Sequence, residues 1–78
     1  MTQNNIGTFI QLSRKTKGLT QKELGDEIGV SDKTISKWEN GNSIPDTAML
    51  APLCHSLDIS VNELLSGEKL PPEHYTEK

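Results

Sequence analysis

The chain has 78 residues, enough for one domain and one modest core. Its single cysteine, Cys54, excludes an intrachain disulfide and points to a cytoplasmic setting. The net charge of −3 argues weakly against a nucleic-acid partner for the molecule taken as a whole.

That charge is unevenly placed. Residues 1–45 carry six basic and five acidic side chains, whereas residues 46–78 carry two basic and six acidic ones. Any affinity for an anionic partner therefore has to come from a local face of the N-terminal part. No apolar run approaches the ~20 residues that span a membrane, and the opening residues MTQNNIG lack the apolar region of a signal peptide. With one Phe, one Trp and one Tyr, the core must be mostly aliphatic.

In chain order, Ile6, Phe9 and Ile10 recur at helical spacing and predict a first helix over about 5–17, stopped by Gly18. Ser13 falls inside that stripe and Leu12 beside it, so either the helix rolls slightly or Leu12 stays partly exposed. Thr20 and Glu23 have the spacing of a capping box and open a second helix with Leu24 and Ile28 as its buried stripe. Gly25 lowers helix propensity by about 1 kcal/mol relative to Ala, a cost that close approach of another helix would offset. Gly29 suits a left-handed residue at the helix end, and Val30 plugs the turn that follows. Ser31 caps a third helix over about 32–40, and Gly41 ends it.

After a loop closed by Pro45, Asp46 is the expected cap of a fourth helix with Leu50, Leu53, Cys54 and Leu57 on one face. Pro52 lies inside it, where a bend is expected and a break is not, because water can satisfy the Ala48 carbonyl. Ser60 and Glu63 form a second capping box, with Val61, Leu64 and Leu65 as the buried face of a fifth helix ended by Gly67. Residues 1–67 thus read as one domain. Residues 68–78, EKLPPEHYTEK, read as an acidic tail or the start of a linker, with only Leu70 and Tyr75 as anchors. Five helices without strand-like alternation make an all-α orthogonal bundle, in which helices two and three form a helix-turn-helix.

The third helix carries the chemistry. On a helical wheel Ile35 and Trp38 define the inner side, and Lys33, Lys37 and Asn40 lie opposite, with Ser36 close by. Two lysines on an exposed face are ordinarily just solvated. The ordered pattern of cap, short helix, glycine turn, serine cap and short helix changes that reading. An α-helix fits the major groove, where Lys donates to guanine and Thr or Ser meets several base edges. Asp32 either accepts from cytosine N4 or complements the helix dipole. The starts of helices two and three, the second capped by Ser31, suit backbone phosphates.

These residues resemble the phage repressor/Cro-like helix-turn-helix family, also called the XRE family. The resemblance rests on Arg14, Leu19-Thr20-Gln21, Glu23-Leu24, Ile28-Gly29-Val30-Ser31, Ile35-Ser36, Trp38-Glu39-Asn40-Gly41, Pro45, Leu50, Leu53, Leu57, Ile59-Ser60 and Glu63-Leu64-Leu65, and covers roughly residues 6–67. It implies a compact five-helix, lambda-repressor-like bundle that binds double-stranded DNA as a transcriptional regulator. By the same resemblance Asp32, Lys33 and Lys37 read bases, with Thr34 and Ser36 as auxiliaries. Gln21 and Asn40 contact phosphates, and Arg14 pairs with Glu39 to link helix one to helix three. The loop after Gly41 lacks the basic residues that some relatives use on the backbone, so a homodimer on a roughly palindromic operator is expected.

A second reading is an antitoxin-type or other protein-interaction module, motivated by the acidic C-terminal part. A protein partner or effector domain beyond residue 78 is compatible with either. No catalytic constellation, cofactor motif or metal-ligand spacing is visible. Cys54 and His55 point about 100° apart on a helix and do not readily share a metal, and His74 stands alone in the tail.

Overall fold

A computed structural model describes residues 5–67 of the protein as five α-helices: α1 (Asn5–Thr16), α2 (Gln21–Ile28), α3 (Asp32–Glu39), α4 (Thr47–Leu57) and α5 (Val61–Ser66). The expected tail or linker at 68–78, with Leu70, His74 and Tyr75, lies outside the described residues. There is no strand among the described residues.

Each helix sends one aliphatic side chain to the centre. Ile10, Leu24, Ile35, Leu53 and Leu64 come from α1 to α5 in turn, and all are fully buried. Each such burial stabilises the fold by roughly 1.5–3 kcal/mol. Phe9, Ile28, Trp38, Cys54 and Leu57 complete the core, and Leu19, Val30 and Leu50 pack partly against it. α3 packs against both α2 and α1, while α4 and α5 close the bundle from the other side.

The helix ends follow the polar punctuation of the sequence. Thr20 and Glu23 form a reciprocal capping box: Glu23 N–H donates to Thr20 Oγ1 at 3.0 Å, and Thr20 N–H donates to Glu23 Oε1 at 2.8 Å. Ser60 and Glu63 repeat the arrangement at the start of α5. α1 ends in a Schellman motif, with Leu19 N–H on the Arg14 carbonyl and Gly18 N–H on the Lys15 carbonyl. Gly18 reaches φ +74° there, a conformation that costs glycine nothing.

Five local expectations are corrected or resolved. Gly25 is indeed closely approached, but by the turn of its own motif and not by another helix. A Cβ at this position would lie 2.5 Å from the Val30 carbonyl oxygen. In α4, Asp46 occupies the cap position without a side-chain cap bond; the first turn closes instead through Met49 N–H on the Asp46 carbonyl. In α5 only Leu64 of the three expected apolar residues is buried, whereas Val61 and Leu65 are exposed. The helix turns Leu64 and its neighbour Glu63, whose carboxylate closes the capping box, toward the bundle instead. In α1 the register is set by Phe9, Ile10 and Ser13, which are buried, so Leu12 stays 60% exposed. α4 itself runs unbroken through Pro52, and the Ala48 residue whose carbonyl Pro52 cannot bond is exposed.

Candidate nucleic-acid interface

α3 is held at both ends. Ser31 Oγ accepts from Thr34 N–H at 3.2 Å and also lies 3.2 Å from Thr34 Oγ1. Asp32 stands in the first turn and Lys37 in the last, each placed favourably for the helix dipole. At the far end Gly41 takes φ +80°, and Asn42 N–H closes on the Lys37 carbonyl at 2.9 Å. An eight-residue helix is thus fixed in length and direction before any partner is present.

Its two sides differ sharply. Ile35, Trp38 and Glu39 are buried. Lys33, Lys37 and Asn40 are exposed, as are Ser31 and Asp32 at the start. Neither lysine ammonium enters a salt bridge among the described residues, where the recorded ion pairs are Arg14–Glu39 and the surface pair Lys22–Asp26. Asn40 Nδ2 donates to Ser36 Oγ at 3.2 Å, so these two polar side chains form one linked edge of the basic face. Thr34 is half-buried and turned aside, into a notch of about 290 Å³ shared with Val30, Trp38, Ile44, Asp46 and Met49.

The inner side holds a charge cluster. Arg14 Nε donates to Glu39 Oε2 at 2.7 Å, and Arg14 Nη2 donates to Glu39 Oε1 at 3.1 Å. Arg14 Nη1 reaches the Leu19 carbonyl at 2.8 Å. Gln21, at the start of α2, donates its amide to the same Glu39 Oε1 at 3.0 Å. The sequence pointed to the Arg14–Glu39 pair through the family resemblance. The Gln21–Glu39 bond, across 18 positions, left no periodic signal to find. Lys33, Lys37, Ser36, Asn40, Asp32 and Ser31 therefore share one helix and its cap, while the Gln21 side chain is drawn inward to the cluster beneath them.

Other chemistry is sparse among the described residues. No group of three metal-ligating side chains occurs, and no helix is long and apolar enough to cross a membrane. Cys54 is buried, and burial, followed by the nearby Glu63 carboxylate, pushes its thiol above the ordinary value, away from nucleophilic reactivity.

Known proteins share this fold. A family model described as Helix-turn-helix matches residues 10–64. The chain is 39% identical over 61 residues to the HTH-type transcriptional activator BcrR of Enterococcus faecalis, covering 78% of this chain and 30% of that protein. It is 33% identical over 72 residues to the antitoxin PezA of Streptococcus pneumoniae, covering 90% of this chain and 46% of that protein. The chain thus spans less than half the length of these two curated relatives. Among solved structures, the P22 c2 repressor in complex with a synthetic operator superposes with a TM-score of 0.77 at 35% identity, over 81% of this chain and 96% of that one. With the family model covering most of the chain and the five-helix fold shared with a phage repressor, the protein belongs to the XRE-type helix-turn-helix family of DNA-binding regulators.

Proposed function

We propose that the chain is the DNA-reading part of a sequence-specific transcriptional regulator, with α3 seated in the major groove of double-stranded DNA. The observation that carries this reading is the outer face of α3. Two lysines four residues apart project from one side with no acidic partner among the described residues, on a helix anchored by a buried core on the other. In this reading Lys33 and Lys37 donate to base edges, and Asp32 discriminates at the leading end. Ser36 assists them, and Thr34, set to the flank, contributes least. Ser31 and Asn40, together with the free N–H groups at the start of α3, face backbone phosphates.

The basic surface is small, so one subunit makes few phosphate contacts. A homodimer on a palindromic operator, with half-sites about one helical turn apart, supplies the missing affinity. Residues 1–67 act as the binding domain and 68–78 as a tail or linker from it, in a cytoplasmic protein. Selection of bound sequences from a random DNA pool at two salt concentrations tests the proposal. An enriched two-fold motif is expected, with log K falling by about 0.9 per phosphate neutralised for each unit of log salt. Recovery of no preferred sequence at either concentration would refute sequence-specific reading.

The similarity to an antitoxin across 90% of this chain favours one second reading, a protein-interaction module in a toxin–antitoxin pair. It predicts a stoichiometric small protein captured from native lysate, and it fails if none is recovered under conditions where operator DNA binds.

A further inference from the structure

Three donors converge on one buried carboxylate. Arg14 supplies two of them in a fork, and the Gln21 side-chain amide supplies the third. The Glu39 side chain is 1% exposed and that of Arg14 is 9% exposed. Gln21 is the first residue of α2 and Glu39 the last of α3, so this bond ties the start of one helix to the end of the other. Arg14 joins the last turns of α1 and the Leu19 carbonyl to the same point. Because Arg14 already balances the Glu39 charge, a third donor has to be neutral to add a hydrogen bond without adding charge. The amide orientation follows from the partner: the opposite flip would set two oxygens against each other.

Resting on the DNA-reading role proposed for α3, we infer that Gln21 is a positioning residue. Its side-chain amide acts on base reading through Glu39, by fixing the angle between α2 and α3. The amide nitrogen carries two N–H groups, and one of them is committed to Glu39 Oε1 at 3.0 Å in the free protein. A charge-assisted bond to the Glu39 carboxylate inside a buried cluster is among the strong ones, so the amide keeps its place between α2 and α3 when DNA binds. The phosphate-facing element at the start of α2 is then the Gln21 and Lys22 backbone N–H groups, which have no intrahelical acceptor.

The two roles predict different losses. Phosphate contacts carry no sequence information, so their loss weakens all DNA equally, whereas a misaligned reading helix loses its preferred site alone. In Gln21→Met, which keeps the length and removes the donor, affinity for the selected operator falls about tenfold and affinity for a scrambled duplex stays unchanged. Equal loss on both duplexes, or no loss on either, overturns the inference. A wild-type protein that shows no preference for any selected duplex instead defeats the underlying DNA-reading proposal. Hydrogen exchange of the wild-type Gln21 side-chain amide gives a second readout that needs no variant. Protection present in the free protein and kept in the operator complex supports positioning, and protection acquired only in the complex contradicts it.

Discussion

The two sides of α3 are built on opposite terms. Inside, Ile35 and Trp38 fill the core, and the one charged side chain, Glu39, is neutralised by Arg14 and hydrogen-bonded by Gln21. Outside, Lys33 and Lys37 repel each other modestly and meet no acidic partner among the described residues. One helix of eight residues thus separates what holds the fold from what is available to a ligand. The lesson is that stability and binding should respond to different substitutions only one or two positions apart.

Breaking the inner side gives the largest expected effect. Glu39→Ala leaves the Arg14 guanidinium buried without its carboxylate, and stability in a denaturant titration falls by about 3–5 kcal/mol. That is a large share of the roughly 5–15 kcal/mol that a small domain has in total. Next comes the turn that sets the helices against each other. Gly25→Val has to displace the Val30 carbonyl, and a melt should show about 1–3 kcal/mol of destabilisation. Ser31→Ala removes the hydroxyl that caps α3 and costs about 1 kcal/mol by the same measurement. At the small end, replacing Lys33 and Lys37 by Ala changes stability by only ~0.5 kcal/mol in either direction, because both are exposed and neither has a salt-bridge partner among the described residues.

The contrast between the two sides also explains what was legible in the sequence. Caps and glycines are local signals, so Thr20 with Glu23, Ser31, Ser60 with Glu63, Gly29 and Gly41 marked helix ends within a residue or two of where they lie. The inner and outer residues of α3 followed from a 3.6-residue period over two full turns. In α5 the period misled: Val61 and Leu65 are exposed, and the buried residues are Leu64 and the capping-box Glu63, which periodicity of apolar residues does not mark. Asp58 was also missed. It ends α4 at φ +60°, a left-handed conformation that Asp tolerates better than most residues and that no glycine announced. Long-range polar bonds were the least legible, since Gln21 reaches Glu39 only when α2 and α3 are packed together.

The central claim is that the outer face of α3 reads DNA while the inner side holds the fold. Binding of Lys33→Ala with Lys37→Ala to the operator selected by the wild-type protein tests it most directly, with a thermal melt of the same sample. The account predicts that specific protection of the operator is lost and that the melting temperature moves by no more than about 2–4 °C, the equivalent of ~0.5 kcal/mol in a domain of this size. A double variant that protects that operator at wild-type affinity would contradict it.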